Sequence, residues 1–189
     1  MEFLKIKPRG WLRDFLQTQL SGLTGHIEEA GFPFDSVEWG RTDKICNNGR
    51  PEWWVFEQTA YWVDGFTRTA ILLEDASALR RSEGIIYSVL DNPDSDGYLG
   101  PRILKSGEHS SRWPHVVFFR ACMALYEYNR DARIVRALGA HYLNEKDNGY
   151  VWRDVYNVEI LLWLYGVTGD ERFLTYAESS YRKYNDSER

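Results

Sequence analysis

His115 is the residue whose type and position best suit chemistry on a polar ligand. It follows Trp113-Pro114, and because proline suits the first turn of a helix, a helix is predicted to begin here. The positive end of the helix dipole disfavours an imidazolium, which predicts a neutral ring at pH 7. A neutral imidazole both donates and accepts a hydrogen bond, as recognition of a hydroxyl group requires. The competing interpretation is an inward-facing core histidine, since its helical face also carries Phe118, Cys122 and Leu125.

Gln58 is a second candidate, because it interrupts an otherwise apolar part of the second predicted helix. On a helical projection it falls between two apolar stripes that together cover about half of the circumference. An amide in such a place needs partners, either a backbone carbonyl or ligand hydroxyls in a cavity. Trp54 lies on one stripe and is a candidate aromatic contact to the same ligand. Asp64 and Arg68 are predicted to form an ordinary i,i+4 ion pair, with Glu57 on the same polar side in a structural role.

The remaining histidine and cysteine residues show no spacing typical of metal ligands. They are His26, His109, His141, Cys46 and Cys122. Asp94 and Asp96 could bind a cation, but the turn residue Gly97 explains them equally well. The sequence also lacks a Gly-x-Ser-x-Gly motif, a glycine-rich phosphate loop and a His-Glu-x-x-His motif. It therefore predicts no metal site and identifies no catalytic residue.

Aromatic residues are unusually abundant, with 8 Trp, 12 Tyr and 9 Phe making up 15% of the chain. Such rings cover the C–H faces of sugars, and they equally build a large core. The net charge of −5, without a cluster of Lys and Arg, excludes a nucleic-acid groove. No apolar run approaches the roughly 20 residues of a membrane span, so no membrane partner is expected. The N-terminus shows no signal peptide, and the compartment stays unassigned.

The elements that must position these residues are helices separated by loops, without a convincing strand. The predicted helices cover about residues 11–30, 52–74, 77–90, 114–128, 131–143, 152–165 and 170–184. Gly22 and Gly25 are the points at which the first is expected to break. The segment from Asp91 to Pro101 is dense in turn residues. It opens a loop of about twenty residues, longer than compact domains usually carry without a function.

An internal repeat joins these helices in pairs. Leu125-Tyr126-x4-Asp131-x-Arg133 recurs 39 residues later (125 to 164) as Leu164-Tyr165-x4-Asp170-x-Arg172, and Leu72-Leu73-Glu74-Asp75 occupies a comparable junction. The Asp at each junction is predicted to cap the second helix of an αα-hairpin. Neither the period nor the residues match a tetratricopeptide array. Unequal spacings with long loops favour a closed toroid over an open solenoid, so the predicted class is all-α and built of αα-hairpins.

Five short segments occur in an informative order. They are Gly10-Trp11-Leu12, Gln19-Leu20-Ser21-Gly22-Leu23-Thr24-Gly25, Glu57-Gln58-x-x-Tyr61-Trp62-x-Asp64-Gly65, Asp96-Gly97-Tyr98-Leu99-Gly100-Pro101 and Arg112-Trp113-Pro114-His115. This series resembles the β-L-arabinofuranosidases of glycoside hydrolase family 127 and its relatives, through nearly all of the chain. The resemblance implies that residues 1–189 form a single domain, the N-terminal half of an (α/α)6 toroid, with about three of the six hairpins.

The resemblance also implies a carbohydrate partner, a plant-type glycan carrying β-L-arabinofuranose or a related sugar. His115 matches a sugar-contacting histidine, and Gln58 lies near a polar sugar contact. The segment Asp96-Gly97-Tyr98-Leu99 matches the long loop of the family, so Asp96 and Tyr98 become candidate substrate contacts. Tyr156 or Asn157 stands where the family has a later substrate-binding histidine, a departure that leaves the sugar open.

In the family, a zinc-bound cysteine nucleophile and a glutamate acid/base lie in later hairpins. Neither Cys46 nor Cys122 matches that nucleophile. We therefore expect the catalytic residues and any zinc outside this chain, no cofactor within it, and no activity from the chain alone. Two functions follow from the sequence: a glycoside hydrolase segment that supplies part of a sugar pocket, or a non-catalytic helical-repeat module that binds a protein or a glycan. An incomplete set of hairpins would expose apolar surface, so self-association is also expected.

Overall fold

The computed structural model describes residues 6–40, 52–106, 111–144 and 152–187. These ranges are all-helical and contain no strand, which confirms the predicted class. The α-helices are α1 (Trp11–Ser21), α2 (Trp53–Leu73), α3 (Ala76–Leu90), α4 (Arg102–Lys105), α5 (Trp113–Asn129), α6 (Ala132–Leu143), α7 (Val158–Thr168) and α8 (Glu171–Ser187). Short 3₁₀ segments cover Ile27–Ala30 and Trp152–Asn157. Among the described helices, none combines the length and the apolar character that crossing a bilayer requires.

The first predicted helix breaks at Gly22, one of the two expected points, so α1 ends at Ser21. Gly22 turns the chain and donates its N–H back to the carbonyls of Thr18 and Gln19. Two other expectations were wrong. The helix predicted from 152 begins instead as the 3₁₀ segment and becomes α-helical only at Val158. The long loop after Leu90 contains the single-turn helix α4. Cys46 and His109 lie outside the described residues.

Two-residue links join α2 to α3, α5 to α6 and α7 to α8, and all three share one backbone design. The first link residue is left-handed: Glu74, Arg130 and Gly169 have φ of 55°, 56° and 69°. The second link residue is an Asp whose carboxylate accepts backbone N–H bonds from the next helix, as Asp75, Asp131 and Asp170 do. This confirms the capping role predicted from the repeat. The left-handed residue turns the chain and the Asp begins the returning helix, so each pair forms a hairpin.

Replacing the glycine of the third link is expected to destabilise the protein. Gly169→Ala places a Cβ at φ +69° with no heavy atom within 4 Å, so the cost is purely conformational. We expect a loss of about 1–2 kcal/mol in the free energy of unfolding, measured in urea. The matched control is Gly166→Ala, three residues earlier inside α7, which also meets nothing within 4 Å. It should stabilise by about 0.5–1 kcal/mol. Equal effects of both variants would contradict the left-handed link.

The first helices of the three hairpins lie side by side and run in the same direction. Between α2 and α5, Glu57 contacts Trp113 near the amino-terminal ends and Arg68 contacts Arg120 further along. Between α5 and α7, Arg120 pairs with Glu159, and Tyr126 packs edge-on against Trp163 with ring centroids 5.4 Å apart. Residue numbers rise together in both pairs, which is the mark of parallel helices. Their amino-terminal ends therefore lie at one end of the molecule.

The central position of α5 explains its residue types. It packs most extensively against α2 and also contacts α3, α6 and α7. Eleven of its residues are buried, from Trp113 to Leu125, so it is apolar around most of its circumference. By contrast α1 buries no residue, and Trp11 and Phe15 on it are 79% and 52% exposed.

Candidate functional site

His115 lies in the first turn of α5, as predicted, and has no exposed surface. Its Nε2 bonds the carbonyl oxygen of Leu99 at 2.9 Å. Rings of Trp39, Tyr98, Phe119 and His141 surround it, with centroids 5.1 to 5.5 Å away. Burial, and to a smaller extent the charge of Arg112, lowers the pKa of His115 to about 3. The ring is therefore neutral at pH 7, mainly through loss of water.

The burial of His115 bears on its predicted contact with a sugar. Because the Asp91–Pro101 segment covers the ring through Tyr98 and Leu99, a sugar could reach it only if that segment moved. Gly100 is part of the segment that covers the ring, and its φ is +98°. A Cβ at this position would lie 3.2 Å from His115 Nε2 and 3.2 Å from Trp39. The sugar-contact role of His115 stays a prediction.

The other predicted contacts are distributed over two regions. In the loop, Tyr98 is buried and donates its hydroxyl to the Pro101 carbonyl at 2.9 Å. Asp96 is exposed and pairs with Lys105 at 2.8 Å, which holds the pKa of its carboxyl below the usual range. The remaining three residues, Trp54, Gln58 and Tyr156, lie near the amino-terminal ends of α2 and α7. Their roles as substrate contacts also stay predictions.

At that end of α2, Gln58 is exposed and Trp54 is partly buried. The indole Nε1 of Trp54 donates to Glu52 Oε2 at 2.5 Å, and its ring meets Phe32 edge-on at 5.8 Å. Because the amide of Gln58 faces solvent, it does not carry the burial cost that motivated a search for its partners.

A polar and aromatic cluster joins the amino-terminal ends of the three parallel helices. We call it the amino-terminal cluster; its residues are Trp53, Glu57, Trp113, Arg153 and Tyr156. Glu57 Oε1 accepts from Trp113 Nε1 at 2.6 Å and from the Arg153 guanidinium at 3.0 Å. The guanidinium carbon lies 4.6 Å from the Trp113 ring centroid and 5.6 Å from that of Trp53. Tyr156, 54% exposed, meets Trp113 edge-on at 5.1 Å.

Two polar side chains beneath the cluster fix its position. Asp154 Oδ1 accepts from the Arg112 backbone N–H at 2.9 Å and from the Ser111 hydroxyl at 3.2 Å, so it caps α5 from another element. Burial raises the pKa of Asp154, while these donors oppose the rise. Asn157 is fully buried, accepts from the Tyr142 hydroxyl at 2.6 Å and donates to the Arg112 carbonyl at 2.9 Å. Asn157 is therefore a structural link between α6 and the start of α5.

The amino-terminal cluster offers groups of two kinds to a ligand. Trp113 is only 8% exposed and lies against Arg153, so the exposed aromatic face of the cluster is that of Tyr156. Trp152, four residues earlier in the chain, is 76% exposed. Glu57 and Arg153 supply an acceptor and donors in this cluster, and the exposed Gln58 follows Glu57 in α2. Aromatic faces next to mixed hydrogen-bonding groups suit a hydroxylated ring such as a sugar.

The described residues contain no group of three or more His, Cys, Asp or Glu side chains that could hold a metal ion. Cys122 is fully buried, and burial raises the pKa of its thiol. A thiol in that environment is neither a nucleophile nor a zinc ligand. The part of the chain that the structure describes does not supply the zinc site that the family resemblance implies for a complete enzyme.

Comparison of the chain with models of protein families, with curated proteins and with solved structures found no match. The fold by itself defines the class, an all-helical protein with consecutive αα-hairpins.

Reasoning from the sequence missed three residues that organise these regions. Arg153 lay beside the candidate Tyr156 and was not singled out, although an Arg next to several tryptophans can form cation–π contacts. His141 was dismissed because it lacked metal-ligand spacing. Trp39 lay in a segment predicted as irregular loop, and it is 4% exposed in the core. A tryptophan within a loop is the signal that could have indicated it.

Proposed function

We propose that this chain is part of a glycoside hydrolase of the β-L-arabinofuranosidase type, and that its amino-terminal cluster contributes to the sugar-binding pocket. On this proposal the three hairpins are about half of an (α/α)6 toroid. The first helices of the hairpins would then line its interior, and their amino-terminal ends would face the pocket.

The observation that carries the proposal is the parallel arrangement of α2, α5 and α7, each followed by a returning helix. In a toroid of hairpins the inner helices must run in one direction, because every hairpin repeats the same down-and-back path. The contacts from Glu57 to Trp113 and from Trp113 to Tyr156 join the same end of three successive helices. That arrangement supports a pocket built by several hairpins at this end.

The chemistry of the amino-terminal cluster supports a neutral ligand. The carboxylate of Glu57 pairs with the Arg153 guanidinium, and that of Asp154 accepts the Arg112 backbone N–H, so neither sign of charge dominates. The exposed ring of Tyr156 lies against Trp113, the donor to Glu57. A furanose presents the same pairing of C–H faces and hydroxyls, so this site suits it better than an anion or a cation.

The proposal is tested by titrating the full chain with methyl β-L-arabinofuranoside and following the Trp113 indole N–H by NMR. We expect a saturable shift of this resonance, because its acceptor Glu57 lies in the proposed pocket. Tyr156→Ala should weaken binding about fivefold to tenfold, the loss expected for one aromatic contact. Methyl β-D-glucopyranoside should shift the resonance less at equal concentration.

The matched control is Tyr128→Ala, since Tyr128 is 44% exposed but lies near the carboxy-terminal end of α5. It should leave the affinity unchanged. Absence of any saturable shift, or equal weakening by both tyrosine variants, would refute the proposed pocket.

A second candidate, a helical-repeat module that binds a protein, is favoured by the apolar surface around α1. A groove of about 510 Å³ between α1, α2, α5 and α7 is lined by Leu12, Leu72, Met123 and Trp163 among others. Self-association through this surface would appear as a concentration-dependent mass in sedimentation. A stable oligomer together with no response to sugar would favour this second function.

A further inference from the structure

The backbone N–H and carbonyl of Leu99 each bond a buried imidazole ring, one from each of two helices. Its N–H donates to Nδ1 of His141 on α6 at 3.0 Å. Its carbonyl oxygen lies 2.9 Å from Nε2 of His115 on α5. The loop residue is thereby tied to both helices. His141 is 2% exposed and His115 is not exposed at all.

These two hydrogen bonds determine where the imidazole protons are. A carbonyl oxygen can only accept, so Nε2 of His115 carries a proton. A backbone N–H can only donate, so Nδ1 of His141 does not. The charged groups that act on the pair, Arg112 and Lys105, are both cations and oppose a second proton on either ring. Each ring is therefore neutral, with its single proton on Nε2.

Each ring is left with one unsatisfied polar atom, and the two atoms are complementary. Nδ1 of His115 is a bare acceptor and Nε2–H of His141 is a bare donor; both are buried, and neither has a hydrogen-bond partner among the residues that the structure describes. Leaving such atoms unpaired costs about 1–3 kcal/mol each. Two hydrogen bonds of about 2.9 Å that meet at the roughly tetrahedral angle of one water join nitrogen atoms about 4.7 Å apart. The ring centroids are 5.1 Å apart.

We propose that a single buried water molecule bridges the two rings, accepting from Nε2–H of His141 and donating to Nδ1 of His115. A buried water is the usual partner of otherwise unsatisfied groups in a protein interior. A metal ion does not fit, because Nε2 of His141 carries a proton and offers no lone pair. The bridge closes a ring of hydrogen bonds through Leu99, both imidazoles and the water. It holds the Asp91–Pro101 segment on α5 and α6, whether or not the chain binds a sugar.

The proton positions and the water are tested in the full chain by nitrogen-15 NMR of the imidazole rings at pH 7. Both histidines should show the Nε2–H form. The Nε2 proton of His141 should exchange slowly and show cross-relaxation with a long-lived water. A proton on Nδ1 of His141, or a protected Nε2 proton without any water contact, would overturn the proposal.

Two variants remove the water ligands and keep the bonds to Leu99. In His115→Gln the side-chain amide replaces Nε2–H, and in His141→Asn the side-chain oxygen replaces Nδ1. Because the water couples the two positions, the double variant loses the bridge only once. Its folding equilibrium constant relative to the wild type should be about tenfold larger than the product of the two single-variant ratios. Additive effects would contradict the bridge. If a variant fails to fold, the wild-type spectra still decide.

Addition of methyl β-L-arabinofuranoside separates this proposal from the sugar pocket. The water bridge predicts that the His141 Nε2 proton does not shift when the sugar is added, even if the Trp113 indole N–H does. Loss of the water contact on addition of sugar would overturn the sealed bridge and support the predicted sugar contact of His115.

Discussion

The free energy of unfolding is expected to fall by on the order of 3 kcal/mol between pH 7.5 and pH 5.5, because two histidines are buried as neutral rings. Burial is the main cause that lowers the pKa of His115, to about 3, and that of His141 well below its ordinary value. In the unfolded chain both titrate near pH 6.5. Below that pH the unfolded state binds protons that the native state does not, so stability is complete above pH 6.5 and is lost as the pH falls.

Urea unfolding at pH 7.5, 6.5 and 5.5 measures this dependence. His141→Phe should halve the slope, since it removes one of the two groups, although it also lowers stability at every pH by leaving the Leu99 N–H unpaired. The control is His26→Gln, because the side chain of His26 is 54% exposed. It should leave the slope unchanged. A stability that is flat between pH 7.5 and 5.5 would show that the two rings are not buried as neutral imidazoles.

Truncating Trp39 to alanine is expected to lower the free energy of unfolding by about 3–5 kcal/mol, the largest effect of any single substitution proposed for this protein. Its indole stacks on Phe118 with centroids 4.4 Å apart and meets His115 edge-on at 5.3 Å. Its Nε1 donates to the Phe56 carbonyl at 3.0 Å. Trp39→Ala would leave a cavity among three elements and remove the indole hydrogen bond, although the Phe56 carbonyl keeps its bond from the Thr59 hydroxyl.

The comparison that isolates this effect uses Trp11→Ala, because Trp11 is 79% exposed. That variant should stay within about 0.5 kcal/mol of the wild type. Trp39→Phe keeps an aromatic ring but loses the hydrogen bond, and an intermediate cost of about 1–3 kcal/mol is expected. Denaturant titrations followed by circular dichroism give all three values. A loss below 1 kcal/mol for Trp39→Ala would contradict its place in the core.

Local features of this chain were predictable because they depend on contacts between residues that are close in the sequence. Asp75, Asp131 and Asp170 cap helices through backbone groups only two or three residues away, so the repeat alone indicated them. The amphipathic pattern likewise indicated seven of the eight described α-helices, and it missed only the single-turn α4 (Arg102–Lys105). It failed at Trp152–Asn157, where a 3₁₀ segment replaces the start of the helix, since periodicity does not separate these two conformations over six residues.

The candidate site was less accessible to prediction. Glu57 was interpreted as a structural residue on a polar face, yet it joins two other elements through Trp113 and Arg153, which lie 56 and 96 residues away in the chain. The inward direction of His115 was correct, since it followed from the angle around one helix. Its partner His141 comes from a different helix, so no local pattern could have paired them.

By itself, then, the sequence determined the all-α class and the paired helices with their Asp caps, because these depend on neighbours within one or two turns. It also predicted a neutral His115, but from the helix dipole, whereas the main cause is burial by other elements. Only the tertiary structure decided that α2, α5 and α7 lie parallel, that Trp39 enters the core, and that Leu99 joins two imidazoles. Those contacts connect residues 16 to 96 positions apart. Their existence depends on how whole helices pack, and many different packings satisfy the same local pattern of apolar and polar residues.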